Sequence, residues 1–351
     1  MSRKTVSVNL ALQGGGAHGA FTWGTLDRLL EEEDIEIEGI SGTSAGAMNA
    51  AALKHGWVNG GREGARESLS EFWLSLAGLD GVMADAILEW LHALSPNPSF
   101  IARALENSPA VIAADTVSRA FSPYQLNPLN YHPLRRTVEN LLDYDRVCAD
   151  QDPKLFITAT HVRSGKTRIF EGQDISPDAI LASACLPTLY QAIEIYDRKT
   201  DRMEAYWDGG YMGNPALFPL FASTETQDII IVHINPLERD EVPTTAQGIL
   251  NRINEISFNS SLLRELRAIN FVNRLIDEGK MERGVMKENF VHSVRDDDFM
   301  SKLGVATKLA LNRALLVQLK DAGRQAMDNF LTNHRDDLGK RSSADLQMLF
   351  S

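Results

Sequence analysis

Residues 6–54 confine the fold more tightly than any other part of the chain. Val6, Val8 and Leu10 alternate with polar residues as a strand over 6–12, and the glycines Gly14, Gly15 and Gly16 follow. Ala20 to Glu33 then reads as a helix with Leu26, Leu29 and Leu30 on its apolar side. Ile35 to Ser41 alternates as a second strand, and the alanine-rich run Ala45 to Lys54 favours a second helix. Strand, helix, strand and helix joined by turns this short give neighbouring parallel strands in a sheet covered by helices on both faces.

Beyond this unit, residues 62–142 read as mostly helical, with Met83, Ile87, Trp90, Leu91 and Leu94 on one stripe that either lines an apolar slot or packs on the scaffold. Strands resume at 154–162, 167–170, 192–196 and 203–207, and 228–235 is the near-continuous apolar run of a central strand. Residues 244–331 read as helices. The expected organisation is one domain over 1–335, with a helical insertion at about 62–142 and C-terminal helices at about 244–331. Residues 336–351 form a polar tail, expected to be loosely attached.

Composition narrows the function classes. The chain has 351 residues, 44% hydrophobic and 23% charged, with a net charge of −12. No strongly basic segment is present to neutralise phosphates, so nucleic acid is not expected as a partner. The two cysteines, Cys148 and Cys185, imply no disulfide framework and fit a reducing, cytoplasmic setting. The first residues read as a strand, not a signal peptide, and no run is apolar enough for a membrane-spanning helix.

Three short motifs carry chemistry. Gly42 to Gly46, "GTSAG", matches G-x-S-x-G at a strand-to-helix turn. Such a turn projects the Ser44 hydroxyl above the sheet, and the following helix N-terminus adds positive potential. The bland alternative is a serine N-cap. Gly14 to Gly19, "GGGAHG", lets main-chain N–H groups approach a substrate closely, as an oxyanion site requires. The same letters fit G-x-G-x-x-G, a nucleotide phosphate loop, with Glu36 or Glu38 as the ribose-binding acid. Asp208 to Gly210, "DGG", follows a strand, and alone it is an ordinary turn.

Together and in this order, the motifs resemble the patatin-like phospholipase family, whose pattern is G-G-G-x-[RK]-G, then G-x-S-x-G, then D-G-[GA]. "ASACLPTLYQAIEI", 182–195, is similar to the family's segment before the aspartate strand, and the resemblance spans roughly 8–220. It implies a three-layer α/β/α hydrolase with a mainly parallel central sheet and a helical insertion. It also implies Ser44 as acyl-accepting nucleophile, Asp208 as general base, and an oxyanion hole at Gly14, Gly15 and Gly16. Gly15 and Gly16 would donate, with Gly14 shaping the turn. No cofactor or metal is implied. The expected partner is an acyl-lipid or ester substrate, with room for a peripheral membrane contact and a homo-oligomer. His18 stands where the family carries Arg or Lys, which would make it a loop or substrate contact; the alternative is a residue of the first helical turn that touches no substrate. Histidine is only partly charged near neutrality, which moves the expectation from phosphate headgroups towards neutral esters.

His233 would complete the order Ser44, Asp208, His233 of an α/β-hydrolase triad, but it lies within an apolar strand. Cys185 reads as a small buried hydrophobe. The acids at 295–299 lack the spacing of a calcium loop. Over 261–280, Leu262, Leu266, Ile269 and Ile276 share one helix side, and Arg264, Arg267, Phe271 and Arg274 the other, a face suited to anionic lipid or solvent. Two rival functions stand beside the hydrolase: a nucleotide-binding protein using Gly14–Gly19, and a catalytically silent interaction scaffold.

Overall fold

Period-two alternation along the central strands builds two apolar layers. In β1 (Val6–Leu12), Leu10 and Leu12 face one layer and Ala11 the other. In β7 (Asp228–Val232), Ile230 and Val232 join the first layer while Ile229 and Ile231 join the second. The computed structural model describes residues 4–77, 97–106, 120–148, 151–198, 200–239 and 242–350, together with 108, 109, 113, 116 and 117. The insertion stripe from Met83 to Leu94 lies outside the described residues.

Among the described residues eight strands form one mixed sheet with the order β5-β6-β3-β2-β1-β7-β8, and β4 also pairs with β3. Between β1 and β7 in sequence come β2 (Ile35–Thr43), β3 (Lys154–His161), β4 (Lys166–Glu171), β5 (Ile193–Asp197) and β6 (Arg202–Asp208). β1 pairs in parallel with β2 and β7, β2 with β3, and β7 with β8 (Phe290–Val294). The β3–β4, β3–β6 and β5–β6 pairs are antiparallel.

Helices cover both faces. α1 (Gly19–Leu29), α2 (Ala45–Leu76), the short α4 (Pro177–Ser183) and α7 (Arg313–His334) bury Phe21, Leu53, Ile180 and Leu319 in the first layer. α5 (Ala246–Asp277) buries Leu262, Leu266 and Ile269 in the second, as the helical periodicity predicts, and leaves Phe271 exposed. α2 runs past the expected end at Lys54 and kinks at Gly60 and Gly61, where Gly61 takes φ 59°. α3 (Pro98–Glu106) adds Ile101 to the first layer, and the short α6 (Val305–Lys308) packs against α3.

Two expectations need correction. Residues 244–331 are not all helical, because β8 adds a parallel strand beside β7. The tail after His334 is not loosely attached. Val291 N–H donates to Ser342 Oγ at 3.0 Å, Ala344 N–H donates to the Val291 carbonyl at 3.1 Å, and Leu338 and Leu346 are buried. The polar tail satisfies the open edge of β8, which the sequence reading had not placed there.

Candidate active site

β2 and β6 meet end to end, and that junction assembles the site. β4 occupies one edge of β3 over residues 156–161, so β2 and β6 share the other edge. β2 runs along it and ends with Thr43 opposite Thr158. β6 runs the opposite way and ends with Asp208 opposite Ala159. The C-terminal ends of two strands distant in sequence therefore abut at adjacent positions of β3.

Ser44 is the residue that follows β2, and it sits at φ 54°, ψ −120°. A side chain rarely adopts this left-handed backbone, and the strain is typical of a nucleophile held out on a tight turn. The surroundings enforce the turn. A Cβ on Gly42 would come within 2.6 Å of the Gly46 carbonyl oxygen, and one on Gly46 would overlap the Leu12 carbonyl. The Ser44 N–H donates to Ser183 Oγ at 2.9 Å, and that hydroxyl donates to the Thr158 carbonyl at 2.6 Å. Thr43 Oγ1 donates to the Gly213 carbonyl at 2.7 Å. Ser44 is no simple N-cap, since its side chain accepts no helix N–H.

Asp208 is buried, and its carboxylate accepts the Gly210 N–H at 2.7 Å. Burial pushes its pKa up to about 7, against the opposing hydrogen bonds from the Gly210 amide and the Ser44 hydroxyl. The serine hydroxyl and the aspartate thus face one another directly, with the carboxyl poised near neutrality. Tyr206 packs edge-on to His161 and Phe170 and donates to Asp197 at 2.9 Å. Nearer the carboxylate are Tyr211, whose hydroxyl pKa is pushed up to about 12 by burial and the Asp208 charge, and Phe258, 5.3 Å from Tyr211 between ring centres.

The first glycine turn packs against Ser44. A Cβ on Gly14 would lie 2.6 Å from Ser44 Cβ. The Gly14 N–H is already taken by Asn214 Oδ1 at 2.7 Å, so Gly14 shapes the turn. Among the described residues no acceptor takes the N–H of Gly15 or Gly16. Gly16 has φ +61°, and any side chain there would overlap the Lys308 carbonyl.

His18 is buried, pairs with Thr307 Oγ1 at 2.8 Å, and has its pKa held well down by burial and by Lys308. It is a neutral contact between loop and C-terminal segment. His233 pairs with Ser293 Oγ at 3.1 Å, and burial lowers its pKa to about 3. No contact joins His233 to Ser44 or Asp208, so the triad reading fails. Burial and the Asp208 charge push the Cys185 thiol up to about 12, which keeps it protonated. Asp296 accepts the Phe299 N–H at 2.9 Å and caps a helix turn. The nucleotide reading also loses its acid: Glu36 pairs with Arg62 at 3.2 Å, and Glu38 accepts the backbone amides of Glu225 and Thr226.

Sequence reasoning missed Ser183, Asn214, Asn235 and Lys308. Ser183 and Asn214 lie inside "ASACLP" and "DGGYMGNP", so their proximity to motif residues was the available signal. Asn235 and Lys308 carried none.

A family model described as patatin-like phospholipase matches residues 10–221, a span that includes both glycine turns, Ser44 and Asp208. Among solved structures the chain is similar to VipD from Legionella pneumophila, at 14% identity and a TM-score of 0.36, over 90% of this chain and 67% of that one. It is also similar to ExoU of Pseudomonas aeruginosa, solved with SpcU from the type III secretion system, at 14% identity and a TM-score of 0.28. That likeness covers 93% of this chain and 53% of the other, so the chain spans about half the ExoU length. No curated protein matches. The family match extends over more than half of the 351 residues, and by it the chain belongs to the patatin-like phospholipase family.

Proposed function

We propose that the protein is a serine acyl hydrolase of carboxylic esters, acting on acyl lipids through a Ser44–Asp208 dyad. The observation that carries this reading is the direct pairing of a strained serine with a buried carboxyl of pKa about 7. In the first step Asp208 takes the Ser44 proton while Ser44 Oγ bonds to the ester carbonyl carbon. The negative oxygen that forms is held by the Gly15 and Gly16 N–H groups. The carbon–oxygen ester bond then breaks, and the departing alcohol takes the proton from Asp208. Water, deprotonated by Asp208, attacks the acyl-serine and releases the carboxylic acid with Ser44 restored.

The headgroup follows from charge. His18 is neutral and turned towards Thr307, so it offers no cation to a phosphate. Lysophospholipids, phospholipids and neutral esters all present the acyl carbonyl the dyad needs, and neutral esters suit the neutral loop best. A lipid substrate brings a peripheral membrane contact, for which the exposed α5 residues Arg264, Phe271 and Arg274 are the candidate face. Among the described residues no helix is long and apolar enough to cross a membrane. Two free thiols suit a cytoplasmic setting.

The test is hydrolysis of a panel of lipid and short-chain esters by wild type, Ser44→Ala and Asp208→Asn. Both variants should fold and lose at least about 10³-fold in kcat. Wild-type rates in either would remove that residue from the mechanism, and an inert wild type that no fluorophosphonate labels would favour the silent scaffold.

A further inference from the structure

The oxyanion loop is not held by the family-matched region alone. A second set of residues, all C-terminal to position 221, reaches it from behind. Asn235 Nδ2 donates to the Gly14 carbonyl at 2.8 Å, and Lys308 Nζ donates to Asn235 Oδ1 at 2.8 Å. Gln13 Oε1 accepts the N–H groups of Ile234 and Asn235 at 2.9 and 3.0 Å and fixes the asparagine. The Lys308 carbonyl lies against Gly16, whose left-handed backbone it leaves no room to change.

Peptide geometry turns this contact into a device. The Gly14 carbonyl and the Gly15 N–H belong to one peptide group, which is trans. When Asn235 holds the oxygen on one side, the N–H points to the other. Donation to the oxygen also draws electron density through the amide and makes the N–H a stronger donor, and a charged group at the head of the chain reinforces this. We propose that Lys308 is a positioning residue for the hydrolase. Through Asn235 its ammonium aims and polarises the Gly14–Gly15 peptide, so that the Gly15 N–H receives the oxyanion formed at Ser44. This rests on the Ser44–Asp208 reading above and adds a residue that the motifs do not contain.

The charged and titratable groups around Lys308 come from four elements. Glu255 on α5 favours its charge and Arg239, after β7, opposes it. His18 on the loop is buried and neutral. Glu106 on α3 lies against Gly304 at the start of the segment, and its carboxyl is pushed up by burial. Glu255 is itself held by Arg239 at 2.6 Å and Arg252 at 3.2 Å, so it neutralises Lys308 only in part. Burial is the largest influence, and it brings the Lys308 pKa down to about 8. The charge that heads the relay is therefore lost just above neutrality.

The experiment is steady-state hydrolysis of a short-chain nitrophenyl ester across pH by wild type, Lys308→Arg and Lys308→Met, with thermal melts of each. Wild-type kcat should fall on the alkaline side with a midpoint near 8. Lys308→Met should lose about tenfold in kcat with little change in KM, and should lose the alkaline limb, because the oxyanion donor is weakened and not removed. Lys308→Arg should keep kcat within about threefold and move the limb upward, since guanidinium stays charged. A Lys308→Met enzyme with wild-type kcat and limb would overturn the proposal. Should that variant not fold, Lys308→Arg decides alone: a displaced limb supports the relay and an unmoved limb overturns it. A wild type that neither turns over nor labels at Ser44 overturns the parent reading, a result distinct from turnover that ignores position 308.

Discussion

The burial that suits Asp208 to the proposed base role also makes it a liability. Its carboxyl ionises near 7 in the folded protein against a usual value near 3.8. A folded value above the unfolded one means that the stability from this group is fully present below the unfolded value and is lost as pH rises through 7. The ionised form costs on the order of 4 kcal/mol by this difference. Asp208→Asn keeps an acceptor for the Gly210 N–H and places no buried charge. At pH 8 the variant should therefore melt several degrees higher than wild type while turning over no ester, as read by calorimetry beside the kinetic assay. An unchanged or lower melting temperature would contradict the burial argument. Ser44 and Asp208 were legible in the sequence because the glycines that shape their turns lie within two positions of them. Ser183 and Asn214, which hold those turns, were not, because a buried hydroxyl or amide reveals its acceptor only once distant strands are brought together.

Among the elements, the strands were legible and the closing contacts were not. All seven expected strands appear, as β1 to β7, close to their predicted bounds, since alternation and apolar runs are local signals. β8 was lost inside a stretch read as helix because "FVHSV" is five residues with two polar side chains, too short to show a period. The α1–α7 crossing was equally silent. A Cβ on Gly24 would overlap the Lys320 carbonyl, and one on Gly323 would overlap the Phe21 carbonyl, so the two backbones touch through glycine. Helix propensity alone favours Gly24→Ala by about 1 kcal/mol. Overlap with main chain should reverse the sign, and urea unfolding of Gly24→Ala should show a loss of about 2–4 kcal/mol. A neutral or stabilising result would mean that the helices sit further apart.

Across the whole molecule, the region beyond the family match completes both the sheet and the site. β7 lies beside β1 in the centre of the sheet, α7 packs on α1, and Asn235 and Lys308 reach the loop that faces Ser44. The sequence announced the motif-bearing part of this arrangement through spaced motifs, whereas the supporting contacts join residues more than two hundred positions apart and leave no local pattern. The proposed reaction passes through a covalent acyl-serine at one position. The most direct measurement is peptide mapping by mass spectrometry of enzyme quenched during turnover of a slowly hydrolysed nitrophenyl ester. The acyl group should be found on Ser44 in wild type and on no residue in Ser44→Ala. Ester turnover with the adduct on another residue, or turnover retained by Ser44→Ala, would contradict the account.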